Sequence, residues 1–369
     1  MKVDVITRHS VANYGSILQS YATQKAIEGL GHECEIIDYT RYDEQGKNKA
    51  KTLCKNSSVW NKNSMTRFLY YIIQTPNYLH AYNKFKKYRA VFLKQTKEQY
   101  SNIDELKANP PKADVYCAGS DQIWGKIGTQ ECDSAYYLDF VPDGHKCISY
   151  AASIGRENVS SEIIGCIKAF LPKYSSILVR ENSAVDIIKK AGIENAELVL
   201  DPTLLLDKNE WEQISSNVKI HGKYVLVYQL HNNKKFERYI KEFSKRAKIP
   251  VYRICPSTQS IIRGGKPIFM PTPQQFITYF KNAEYVITDS FHGTVFSIIF
   301  NKKFIDILPK DTGTRITNIL GLVNLKERIL GSYDDFSYIG KDIDYKETNQ
   351  ILDKQRKISI EKLRKAIEE

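Results

Sequence analysis

Short apolar runs alternate along the chain with longer stretches in which apolar residues return every three or four positions. The first run, within residues 1–7, carries Val3, Val5 and Ile6 and predicts a strand. A polar stretch, Arg8 to Ser16, follows it. Ile17, Leu18, Tyr21, Ala22 and Ile27 then share one side of a predicted helix that Gly29 and Gly31 close. Residues 34–39 predict the next strand, completing a strand–loop–helix–strand unit of the kind that opens doubly wound sheets. Further strands are predicted over 114–118, 147–153, 176–179 and 197–200, with a helix over 184–190 ending at Gly192. The pattern restarts with a strand over 224–230, a helix over 234–247, a strand over 250–254 and a helix over 274–281. Strands at 285–287 and 303–308 flank a helix on which Val295, Phe296, Ile298 and Ile299 suit one apolar face.

A chain of 369 residues is long for one core, so two domains are expected. The pattern places a Rossmann-like domain over 1–205, a second over 215–335, a linker near 203–220 and a charged helical tail over 336–369 that could pack back on the first domain. Residues 41–112 form a basic, aromatic, helical insertion that Pro76 is expected to break. The fold class is therefore α/β, with two Rossmann-like domains facing a cleft and a C-terminal helix, the glycosyltransferase-B type of architecture.

Composition narrows the function classes. Hydrophobic content of 42% and charged content of 26% are those of an ordinary globular protein. No uncharged apolar run is long enough to span a bilayer, and the strand starting at Val3 leaves no room for a signal peptide. Seven scattered cysteines without C-x-x-C pairs fit reduced thiols in a cytoplasmic protein, with no metal site. The net charge of +12 brings no nucleic-acid motif with it, so nucleic acid is not an expected partner. Much of the excess lies in 41–112, where Lys84, Lys86, Lys87 and Arg89 interleave with Tyr78, Phe85, Tyr88 and Phe92. The aromatics share a helix face that would pack on the first domain. The lysines are either solvated or held against anionic membrane, which makes peripheral membrane contact an expected partner.

Candidate chemistry collects where predicted strands end. Asn13, Tyr14 and Gly15 follow the first strand, although their loop is not G-x-G-x-x-G. Asp121 and Gln122 follow the strand at 114–118, and Arg180 the strand at 176–179. Arg180 could pair with Glu181 or fork a carboxylate or phosphate. After the strand at 285–287, Thr288, Asp289 and Ser290 are helix-capping residue types, His292 is titratable near neutrality, and Gly293 would let a ligand approach the backbone. Thr294 and, in the loop 311–315, Arg315 complete the set. These residues are expected to line one cleft.

The segments Asn13-Tyr-Gly-Ser-Ile-Leu-Gln-Ser-Tyr-Ala22, Gly119-Ser-Asp-Gln-Ile-Trp124, Tyr150-Ala-Ala-Ser-Ile-Gly155, Val179-Arg-Glu181, Leu200-Asp-Pro-Thr203 and Thr288-Asp-Ser-Phe-His-Gly-Thr294 resemble, in order, those of the polysaccharide pyruvyl transferase family. The resemblance spans residues 4–330 and leaves out the insertion and the tail. It implies transfer of a pyruvyl group from phosphoenolpyruvate to two hydroxyls of a sugar as a cyclic ketal, in capsule, exopolysaccharide or cell-wall polymer synthesis. The sugar is often lipid-linked at the inner face of the cytoplasmic membrane. Phosphoenolpyruvate is a donor substrate, so no cofactor is implied. Arg180 and His292 take the positions of the family's arginine and histidine; where some members carry an arginine two residues before the histidine, this chain has Ser290. His292 is the candidate proton donor, with Asp289 or Asp121 orienting it or accepting the sugar's proton. Two other readings compete: a nucleotide-sugar glycosyltransferase of the same architecture, and a non-catalytic sugar-binding subunit of a capsule assembly complex.

Overall fold

Seven strands form one wholly parallel sheet: β1 (Lys2–Ile6), β2 (Glu33–Tyr39), β3 (Gln95–Tyr100), β4 (Val115–Ala118), β5 (Lys146–Ala152), β6 (Tyr174–Val179) and β7 (Ala196–Leu198). Their order is β3-β2-β1-β4-β5-β6-β7. The central strands are buried on both faces, as helices flanking a parallel sheet require. A second parallel sheet has the order β10-β9-β8-β11-β12, from β8 (Val225–Tyr228), β9 (Val251–Cys255), β10 (Lys266–Phe269), β11 (Tyr285–Thr288) and β12 (Lys303–Asp306). The structure is a computed structural model and describes residues 1–128, 130–309 and 313–369, without the side chains of Lys47 and Gln259.

The sheets belong to two α/β units. The first comprises Met1–Ile154, Asn158–Pro202 and Lys362–Glu369, and the second Gly155–Glu157 and Thr203–Glu361. In each, strand order reverses beside the first strand, between β1 and β4 and between β8 and β11. Such switch points leave a crevice outside the carboxyl ends of the strands, where ligands of open α/β sheets bind. The stretch expected as a linker is ordered within the second unit. Trp211 there is fully buried, 5.1 Å edge-on to Phe296, and its Nε1 donates to the Thr203 carbonyl.

The insertion differs from its sequence reading in two ways. After α1 (Tyr14–Gly29) and β2 it forms α2 (Gly46–Lys55) and then α3 (Ser64–Phe92), which passes through Pro76 without a break. Pro76 lies on the exposed side, and Asn77 Nδ2 donates to the Ile73 carbonyl in the same turn. The insertion also contains β3, whose polar sequence Gln-Thr-Lys-Glu-Gln-Tyr hid an edge strand from hydrophobic patterning. The cysteine reading is corrected as well. Cys132 and Cys166 lie 6.6 Å apart at Cα and form a disulfide, while the other five cysteines are buried free thiols. Among the described residues, no helix is long and apolar enough to cross a membrane.

The helices of the second unit include α4 (Lys234–Ala247), α5 (Phe291–Ile299), α6 (Thr314–Leu322) and most of α7 (Lys346–Glu368). The patterning gave α5 one apolar face, yet it is buried all round after Phe291. The last residues of α7 cluster with the first unit, where Lys146 Nζ donates to the Ile367 carbonyl.

Candidate functional site

At the first switch point the end of β1 is tied to the end of β4 by Thr7 Oγ1, which donates to the Ser120 carbonyl at 2.5 Å. Gly119 permits this closeness, since a Cβ there would stand 2.8 Å from Val5 Cγ1. The next residue, Asp121, has φ +80°, and Ala151, one position from its bridge partner Ala152, has φ +55°. Two non-glycine residues in left-handed backbone, side by side at strand ends, are strain of the sort held at functional sites. Trp124 anchors the loop and is fully buried, its Nε1 donating to the Tyr136 carbonyl. It therefore supports the crevice and does not face it.

Asp121 carries the chemistry of this rim. Its Oδ2 accepts from Ser16 Oγ at 2.7 Å and its Oδ1 from the Gln122 amide at 2.7 Å. Burial opposes its ionisation, but the Arg180 and Arg8 guanidinium groups and these two donors hold the carboxyl down at about 2. Arg180 feels the charge of Glu181. Its Nη1 donates to Asp201 Oδ2 at 2.6 Å and to Ser120 Oγ at 3.0 Å, and its Nη2 lies 3.8 Å from Asp121. Glu181 accepts from Ser153 Oγ and the Ile154 amide. Arg8 Nε donates to Glu44 at 2.7 Å. The rim thus sets Arg8 and Arg180 against Asp121, Asp201 and Glu44, with Lys49 also close to Glu44. Asn13 caps α1 by accepting from the Gly15 amide, while Tyr14 and Gly15 are buried, Tyr14 against Phe85. Apart from the switch point, a cavity of about 460 Å³ at the ends of β2 and β3 is lined by residues including Tyr39, Tyr42, Asp43 and Asn102.

The second switch point is built differently. Asp289, just past β11, accepts from the Leu230 amide at 2.6 Å, the His231 amide at 2.9 Å and His231 Nδ1 at 3.1 Å. The carboxylate expected to orient His292 therefore holds His231, which follows β8. The Asp289 hydrogen bond lifts the His231 imidazole above its ordinary value, against burial and the charges of Arg263 and Arg315. The His231 side chain is 52% exposed. His292 sits in the first turn of α5, buried and edge-on to Phe291 at 5.2 Å. Arg315, in the first turn of α6, lies 5.5 Å over the Phe291 ring, so Phe291 touches both His292 and a guanidinium. Residues 311 and 312 of its loop lie outside the described residues.

Ser290, Gly293 and Thr294 each make contacts that hold α5 in place. Ser290 is the N-cap of α5. A Cβ on Gly293 would stand 2.2 Å from Thr288 Oγ1, so this glycine seats the helix on β11. Thr294 Oγ1 donates to Asp306 Oδ1 at 2.7 Å, and burial pushes the Asp306 carboxyl well above the usual range. The structure brings Asp121, Gln122, Arg180 and Asn13 to the first rim, and Asp289, His292 and Arg315 to the second. Patterning missed Arg8, Ser16, Asp201 and His231 as site residues. His231 had the same signal as His292, a histidine just past a predicted strand. Among the described residues, no three His, Cys, Asp or Glu side chains are placed to hold a metal ion.

A sequence model of polysaccharide pyruvyl transferases matches residues 13–309, most of the chain. The chain belongs to the polysaccharide pyruvyl transferase family. No curated protein sequence matches it significantly. Among solved structures, it resembles a UDP-GlcNAc 2-epimerase from Methanocaldococcus jannaschii, with a TM-score of 0.50 at 15% identity, over 98% of this chain and 93% of that one. It also resembles S. aureus MnaA in a co-structure with UDP, with a TM-score of 0.52 at 11% identity, over 92% and 86%. At such identities the likeness concerns fold alone, and the fold of this pyruvyl transferase family member is of the glycosyltransferase-B class.

Proposed function

We propose that the protein transfers the pyruvyl group of phosphoenolpyruvate to two hydroxyls of a sugar as a cyclic ketal, decorating a lipid-linked precursor of a capsule, exopolysaccharide or cell-wall polymer at the cytoplasmic membrane face. The observation that carries this reading is the gathering of cationic and imidazole side chains at the second rim. The second rim gathers His231, His292, Arg263 and Arg315 around one carboxylate, Asp289, and suits a donor bearing a carboxylate and a phosphate. The first rim holds a carboxylate that stays ionised, Asp121, and suits hydroxyl groups that donate hydrogen bonds.

In this reading an imidazolium delivers a proton to the methylene carbon of the enol, and C2 gains oxocarbenium character. His292 is the proposed donor. His231, whose imidazole the Asp289 hydrogen bond lifts above its ordinary value, steadies the departing phosphate, with Arg315 beside it. One sugar hydroxyl adds to C2, phosphate leaves with the bridging oxygen, and the second hydroxyl closes the ketal. Of the two hydroxyl protons, one replaces the proton given to carbon and the other leaves with phosphate. At the first rim Arg180 helps to hold Asp121 ionised. The test is an assay of phosphate release from phosphoenolpyruvate with a panel of lipid-linked sugars. Acceptor-dependent release with a pyruvylated product is expected. Nucleotide released from an activated sugar, with phosphoenolpyruvate untouched, would overturn the reading.

A further inference from the structure

The two halves of α3 are treated unequally by the rest of the first unit. Its C-terminal half is anchored: Phe85 is fully buried 5.0 Å from Tyr14, Phe92 meets Tyr21 at 5.6 Å, and Arg89 Nη1 donates to the Ser10 carbonyl. Its N-terminal half rests on α2 through a small cluster of Ala50, Cys54 and Tyr70, with Tyr71 and Tyr78 against it. The opposite face of that half carries Met65, Phe68, Leu69, Ile72 and Ile73, at i, i+3, i+4, i+7 and i+8, which is one side of a helix. All five are exposed, by 46% to 73%, and Val59 and Trp60 add to them at the turn between the helices. A contiguous apolar face of this size on a water-soluble surface marks an interaction site.

The charge around it selects the partner. Between Glu44 and Glu98 the sequence holds no aspartate or glutamate, while Lys51, Lys55 and Lys62 stand exposed on the hairpin. A second copy of the chain would set these lysines against lysines, with no carboxylate in the hairpin to meet them. Anionic lipid headgroups would meet them, and an apolar stripe with Trp and Phe flanked by Lys is the make-up of helices that lie in the bilayer interface. We infer that the α2–α3 hairpin docks the protein on anionic membrane, with Met65, Phe68, Leu69, Ile72 and Ile73 entering the interface and Lys51 and Lys62 over the headgroups. This moves the membrane contact expected at Lys84, Lys86 and Lys87 to the other end of α3. It does not depend on the proposed chemistry.

The test is co-sedimentation of the full chain with vesicles of phosphatidylcholine alone and of phosphatidylcholine mixed with phosphatidylglycerol. Binding to the anionic vesicles is expected. The double variant Phe68→Ser/Ile72→Ser should weaken it at least about tenfold at any salt, since two large apolar side chains leave the lipid. Lys51→Glu/Lys62→Glu should weaken it at low salt and little at high salt, and Lys86→Glu/Lys87→Glu least of all. Trp60 gives a readout without mutation, because the other two tryptophans, Trp124 and Trp211, are fully buried. Its emission should shift to the blue with anionic vesicles and be quenched by brominated lipid. Unchanged Trp60 emission would overturn the inference. So would a dimer that Phe68→Ser/Ile72→Ser converts to monomer without any vesicle binding, which would assign the face to a second copy.

Discussion

Replacing Asp289 by asparagine removes the charge from the second rim while keeping the shape of the residue. The carboxylate accepts three hydrogen bonds, from the Leu230 amide through Oδ1 and from the His231 amide and Nδ1 through Oδ2. An asparagine has one oxygen and turns an NH2 toward the other donor or donors, so at least one backbone N–H loses its acceptor. That loss, between a buried carboxyl and donors on exposed residues, costs about 1–2 kcal/mol. The imidazole should also return toward its ordinary value. In the parent, the stability from the Asp289–His231 pair is fully present below the unfolded pKa of histidine and is lost as pH rises through the raised folded value. In Asp289→Asn that pH dependence should flatten. Denaturant titrations over a pH series, with an NMR titration of the His231 ring, read both quantities. The basic limb of the activity profile should move to lower pH in step. A His231 titration unchanged in Asp289→Asn, or a stability loss below about 0.5 kcal/mol, would refute the reasoning.

Gly293→Ala should destabilise the second unit by about 1–3 kcal/mol, because the new methyl meets the Thr288 hydroxyl that Tyr228 and Ser290 already engage; a thermal midpoint equal to the parent's would contradict this. Asp201→Asn leaves the buried Arg180 charge without its closest carboxylate and should cost about 3–5 kcal/mol, read by denaturant titration. Little change there would mean that Asp121 alone balances Arg180.

The strand-end residues were legible because in a parallel α/β unit each buried strand stops where the next loop must turn toward a helix. Asn13, Asp121, Arg180 and Asp289 could be placed from that rule alone. Their partners were not legible, since adjacency in the sheet is not adjacency in sequence. Arg180 meets Asp201 from the turn after β7, and Asp289 meets His231 because β8 and β11 pair in the sheet. The packing of Gly293 on Thr288, beneath the helix, was likewise not legible. Pro76 looked like a break, but the exposed side of α3 takes it without stopping the helix. The apolar stripe on α3 was written in the sequence at helical spacing. Only the structure shows that its five residues stay exposed.

The central claim is that this site protonates the methylene carbon of phosphoenolpyruvate, and the reaction run in D2O tests it most directly. Mass spectrometry of the pyruvylated sugar should find one solvent deuterium in each ketal methyl group, appearing together with released phosphate. His292→Gln should lower the rate of both by about 10²–10⁴-fold, with the protein still folded. Product formed without deuterium in the methyl group, or unchanged turnover in folded His292→Gln, would contradict the account.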